Sequence, residues 1–110
     1  MMSRKELRQV LENIVLPEFR KNLTFKKVSA SISTAGMPKG YYGVEIILTL
    51  RDGEQIRVGT VFHQKSNGAW TLRLDEIKIR HADISSINRC SRALEKVGKA
   101  LKSAGVLKRN

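Results

Sequence analysis

Between two alternating segments the chain reads TAGMPKGYYGV, Thr34 to Val44, with three glycines and a lysine. Backbone N–H groups bare of side chains can approach an anion closely, so phosphate binding is the chemistry such a stretch suggests. A P-loop, however, requires Ser or Thr after the lysine and a helix beyond it. Lys39 is followed by Gly40 and a strand-like alternation, so the stretch is a hairpin connection that presents Lys39 and Tyr41 at its end. The histidines, His63 and His81, have no Cys or acidic partner at ligand spacing, and neither a metal nor a cofactor is expected. Cys90 has no nucleophile motif around it and falls on the apolar side of a predicted helix, where it reads as a small core residue.

The triplet Glu76-Ile77-Lys78, with Asp52 or Glu45 upstream, resembles the Glu-x-Lys element of metal-dependent nucleases. There two carboxylates hold Mg²⁺ and the lysine assists the attacking water. The resemblance requires an upstream carboxylate on a strand beside Glu76, whereas Asp52 belongs to a turn and Glu76 to a break in the alternation. A Mg²⁺ nuclease is thus a minor alternative, and no residue is assigned as catalytic.

The elements that must position these residues follow from periodicity. Ser3-Arg4-Lys5-Glu6 has the form of a capping box, and Leu7, Val10, Leu11 and Ile14 recur at helical spacing behind it. Pro17 must kink this helix or restart it, with Phe19 and Leu23 continuing the apolar side. From Phe25 the period becomes two: Val28, Ala30 and Ile32, then Tyr42 to Leu50, then Ile56, Val58, Thr60 and Phe62, then Trp70, Leu72 and Leu74. Matching faces selects a three-residue loop, Arg51 to Gly53, that pairs Leu48 with Ile56 and puts Gly53 in a left-handed conformation. A loop of Ser66 to Gly68 likewise pairs Phe62 with Leu72, and the slip to Ile77 and Ile79 marks a bulge near Asp75-Glu76. Asp83 or Ser85 caps a last helix with Ile87, Cys90, Leu94, Val97 and Leu101 inward, Gly105 ends it, and a frayed basic tail follows. The expectation is one α+β domain over residues 1–110: an N-terminal helix, a four-stranded antiparallel β-meander and a C-terminal helix, both helices packed on one sheet face.

Helix, sheet, helix is an order that resembles double-stranded-RNA-binding domains and the small Alu-binding proteins of the signal recognition particle, which use three strands. The fourth strand departs from them, as does the helix start DISSINRC, which lacks their lysines, so no residue roles are carried over.

A formal charge of +11 draws the chain toward polyanions. Residues 1–27 contribute +4, residues 28–82 +2 and residues 83–110 +5, so the ends carry most of it. Arg89, Arg92, Lys96, Lys99 and Lys102 fall on the polar side of the last helix with Glu95 almost the only acid. The open sheet face adds Ser29, Ser31, Ser33, Tyr41, Glu45, Thr49, Arg57, His63, Thr71 and Arg73. The resulting expectation is a non-enzymatic protein that binds RNA or DNA mostly through the backbone, by Lys39, Tyr41, Arg57, Arg73 and the five helix cations. The rival class is a modulator of phage or mobile-element type, docking on an acidic protein surface or forming a homodimer through an apolar patch at Ile47 and Val61. No apolar run reaches membrane-span length and no signal segment is evident, and one cysteine suits a reducing cytosol, nucleoid or nucleus. Asn22-Leu23-Thr24 matches a glycosylation sequon, which has no consequence without a secretory signal.

Overall fold

The computed structural model describes residues 4–22, 24–65, 70–79 and 84–107. The chain opens with α1 (Arg4–Val10), a π turn (Leu11–Val15) and α2 (Leu16–Arg20). Pro17 explains the π turn. In an unbroken α-helix its ring would press on the Asn13 carbonyl, and its missing N–H would leave that carbonyl unpaired. Instead the Leu16 N–H donates to the Leu11 carbonyl five residues back, and Pro17 falls in the first turn of α2, where no N–H is needed. The extra residue moves the apolar stripe: Leu7, Leu11, Val15, Leu16 and Phe19 are buried, while Val10 and Ile14, expected inside, sit at the core's margin. Ser3 and Leu23, expected as cap and apolar contact, lie outside the described residues.

Four strands, β1 (Phe25–Ser33), β2 (Tyr41–Leu50), β3 (Gln55–Gln64) and β4 (Trp70–Ile79), pair antiparallel in chain order. Val28, Val44, Ile46, Leu48, Ile56, Val58, Phe62 and Trp70 turn to the buried face. The β2–β3 loop has the expected form. Leu48 pairs with Ile56, the Leu50 N–H donates to the Glu54 carbonyl at 2.8 Å, and Gly53 has φ 91°. A side chain at Gly53 would be strained, which is why glycine ends this turn. Phe62 pairs with Leu72 as expected, although Ser66 to Gly68 lie outside the described residues. Gly59 pairs with Glu76 and Thr60 with Leu74, so Asp75 is the extra residue of a bulge and the parity slip has its cause. Thr60 is buried within the apolar series and its Oγ1 donates to the Val44 carbonyl at 3.0 Å, which removes the cost of burying a hydroxyl.

Helix α3 (Ile84–Ser103) buries Cys90, Ala93, Val97 and Leu101 in the same cluster as the first helical segment, so both helices cover one sheet face. Asp83 lies outside the described residues, and Ser85 stands within the first turn of α3 rather than ahead of it. Gly105, at φ 76°, ends the helix: its N–H donates to the Lys102 carbonyl and the Val106 N–H to the Leu101 carbonyl at 2.9 Å. The expected fraying does not extend to Val106 and Leu107. Both pack against the core, and Leu107 bridges to Trp70 at the start of β4. Among the described residues no helix is long and apolar enough to cross a membrane.

β1 is an edge strand, and the first helical segment blunts it. Arg8 Nη1 donates to the Ala30 carbonyl at 2.9 Å and Arg20 Nη2 to the Val28 carbonyl at 3.4 Å. Glu12 stands between the two arginines, 3.9 and 3.8 Å from them. Carbonyls that would otherwise template another chain are thereby occupied. Replacing Arg8 and Arg20 together by alanine is expected to cost about 1–2 kcal/mol in denaturant unfolding. Light scattering should reveal concentration-dependent association of the variant; a variant that stays monomeric at high concentration would show that the arginines do not guard the edge.

Candidate nucleic-acid interface

The inward stripe of α3 runs Cys90, Ala93, Val97, Leu101 at three- and four-residue spacing, which turns Arg89, Arg92, Lys96, Lys99 and Lys102 outward. The expected inward Ile87 and Leu94 are half-buried, and Ala93 lies deeper than Leu94. Burial lifts the Cys90 thiol to about 11, so it stays protonated at neutral pH and acts as core packing.

Where α2 ends beside α3 the surface is concave. A cleft of about 450 Å³ is lined by Glu18, Lys21, Asn22, Arg89, Arg92, Ala93 and Lys96. Its far wall is the turn that ends α2. There the Asn22 Oδ1 accepts from the Thr24 N–H at 3.0 Å, which commits the amide oxygen to the turn and leaves the amide N–H donors for a ligand. Arg89 Nη1 donates to Thr24 Oγ1 at 2.6 Å, so this guanidinium is held across the gap between α3 and the turn. Lys21 Nζ and Glu18 Oε1 are 2.9 Å apart. Arg92 and Lys96 form no ion pair with any described residue. Further along α3, Lys99 meets Glu95 at 3.4 Å with both side chains largely exposed, and Lys102 follows.

Three of the five helix cations, Arg89, Arg92 and Lys96, thus converge on one cleft, joined by Lys21 and Asn22, which sequence reasoning missed. The signal lies in Asn22-Leu23-Thr24, whose pattern has a second meaning besides the sequon. An Asn two residues before Thr, just past a helix end, also makes the local turn that fixes this wall.

The remaining candidates lie across the sheet from the helices. The register sets Tyr41 beside His63, Ile47 between Ser29 and Arg57, and Val61 between Gly43 and Arg73 on the uncovered face. Arg57 Nη1 is 2.7 Å from Glu45 Oε1 and its Nη2 donates to Gln55 Oε1 at 3.3 Å, so its charge is already matched. Tyr41 stacks on His63 with ring centroids 4.0 Å apart and is half-buried, so its ring is held by the sheet and not by the loop. Lys39 and Arg73 are both exposed. Ile47 and Val61 do not form the expected patch: the row of Glu45 and Gly59 separates them, and four residues of strand span about 13 Å. Val61 is itself buried, lining a hollow with Met37, Gly43 and Gly59.

The nuclease element fares differently residue by residue. Asp52 accepts from the Glu54 N–H within the hairpin loop, Glu45 is paired with Arg57, and Glu76 pairs by its backbone with Gly59. Among the described residues no group of three His, Cys, Asp or Glu side chains is placed to hold a metal ion. His63 belongs to the Tyr41 stack, and His81 lies outside the described residues. No family model, curated protein or solved structure matches the chain.

The two loop candidates should separate in unfolding experiments. Tyr41→Ala removes a stacked ring and is expected to cost about 1 kcal/mol. Lys39→Ala, at an exposed loop position, should stay within about 0.5 kcal/mol of the parent. Equal melting behaviour for the two would mean that the stack contributes nothing in solution.

Proposed function

We propose that this is a small non-enzymatic nucleic-acid-binding protein that grips the phosphate backbone of RNA or DNA through the α2–α3 cleft and the cationic side of α3. The observation that carries the reading is the convergence of Lys21, Arg89, Arg92 and Lys96 on one concave surface where, among the described residues, Glu18 is the single carboxylate. Such a surface offers charge-assisted donors to phosphate oxygens. From Arg89 to Lys102 the helix advances about 20 Å, enough to follow several phosphates of one strand.

Low sequence selectivity goes with this reading, because backbone contacts position a ligand without reading its bases. Among the described residues no aromatic side chain lines the cleft. All six aromatic side chains are engaged with other rings: Phe19 with Phe25, Tyr42 and Phe62 with Trp70, and Tyr41 with His63. The separation of Ile47 from Val61 takes away the apolar patch that would have favoured a homodimer, and leaves the protein-docking alternative only the positive charge that both readings share. The place of action would be a cytosol, nucleoid or nucleus, where nucleic acid is accessible.

Fluorescence anisotropy with labelled duplex and single-stranded RNA and DNA across a salt series tests this. Affinity should fall steeply with salt and vary little with sequence. Arg92→Ala with Lys96→Ala should weaken binding and lower the salt slope by about two units, one for each phosphate no longer neutralised. A flat salt dependence, or no binding together with stoichiometric capture of one acidic protein, would overturn the reading.

A further inference from the structure

We propose that Glu18 occupies, inside the α2–α3 cleft, the place a phosphate group takes on binding, so that the site carries its own competing anion. The inference rests on the nucleic-acid reading above and assigns Glu18 a role in that site. Its geometry is asymmetric. The Glu18 side chain is 16% exposed while that of Lys21, its partner at 2.9 Å, is 70% exposed. The carboxylate is therefore the sheltered member of the pair and the lysine the solvated one.

The other polar groups that line the cleft donate: Lys21, Arg89, Arg92, Lys96 and the amide nitrogen of Asn22, whose oxygen serves the turn. Glu18 alone among them only accepts, as phosphate oxygens do. With Arg92 and Lys96 unmatched by any described carboxylate, the cleft holds more positive charge than Glu18 balances. An incoming phosphate competes with that carboxylate for Lys21 and repels it. A pair so exposed on the lysine side holds weakly, so it lowers affinity for the polyanion without closing the site.

Any acid removed from a basic protein raises its affinity for polyanions, and the test must separate that bulk effect from competition in the cleft. Glu95 supplies the control: it pairs with Lys99 at 3.4 Å on the same face of α3, is largely exposed, and does not line the cleft. Glu18→Gln and Glu95→Gln change net charge equally. Binding of a labelled duplex is read by anisotropy, and binding of inorganic pyrophosphate, a probe small enough to sit in the cleft, by calorimetry.

Glu18→Gln should tighten both ligands about two- to five-fold, and Glu95→Gln by clearly less. Equal gains from the two variants would reduce the effect to bulk charge and overturn the proposal. A loss of affinity in Glu18→Gln would overturn it too, by showing that the carboxylate holds Lys21 in place for the ligand. If the parent protein bound no nucleic acid, the function reading alone would fall. Pyrophosphate would still decide the competition, since a gain for Glu18→Gln over Glu95→Gln supports it and the absence of any such gain overturns it.

Discussion

The whole architecture depends on burying one face of a four-stranded meander. Val44, Ile46, Leu48, Ile56, Val58 and Phe62 present a continuous apolar surface from the two central strands, and water must be excluded from it. The segments that cover it are the two terminal ones. Both must lie on the same side, and their own apolar stripes must meet over the sheet. That requirement sets α2 against α3 and determines where the cleft is. It also dictates the π turn, because Pro17 would break a plain helix before Phe19 could reach the core, where it is fully buried.

A net charge of +11 is divided between structural and uncommitted cations by the same geometry. Arg8 and Arg20 belong to the β1 edge and share Glu12, and Arg57 is neutralised by Glu45. The terminal excess seen in the sequence is thus not one field. Two of the seven N-terminal cations, Arg8 and Arg20, are used on backbone carbonyls, whereas Arg92, Lys96 and Lys102 of α3 have no described partner. Charge counting alone cannot make this division, since an arginine that completes an edge strand and one that faces solvent add equally to the total.

What was legible in the sequence was whatever a period of two or 3.6 encodes directly. The strands, the three-residue β2–β3 loop, the bulge at Asp75 and the helix stop at Gly105 all follow from local pattern and turn chemistry. The first helix was legible at Leu7, Leu11 and Phe19, which are buried as expected, but not around the π turn, where one inserted residue shifts the stripe by about 100° and replaces Ile14 with Val15 and Leu16 in the core. The site was half legible. Arg89, Arg92 and Lys96 stand on one helix and declare themselves by spacing, but Lys21 and Asn22 join them only through packing of α2 on α3. That Tyr41 and Arg57 are engaged with His63 and Glu45 was not legible for the same reason: these partners are neighbours across strands and not along the chain.

The allocation of aromatic rings decides what kind of recognition remains. Six aromatic side chains in 110 residues are few, and a modest core needs large apolar groups to fill it. Phe19 and Phe62 are completely buried, Phe25 and Trp70 nearly so, and Tyr42 packs against them; Tyr41 is stacked on the far side of the sheet. None is left on the surface that carries the cations. Under the proposed function, a ligand held there would meet the guanidinium and ammonium groups of α3 and, from the turn after α2, Lys21 and the Asn22 amide. Five of the six rings are thus used to hold the sheet and helices together, and the low sequence selectivity of the proposed function goes with that allocation.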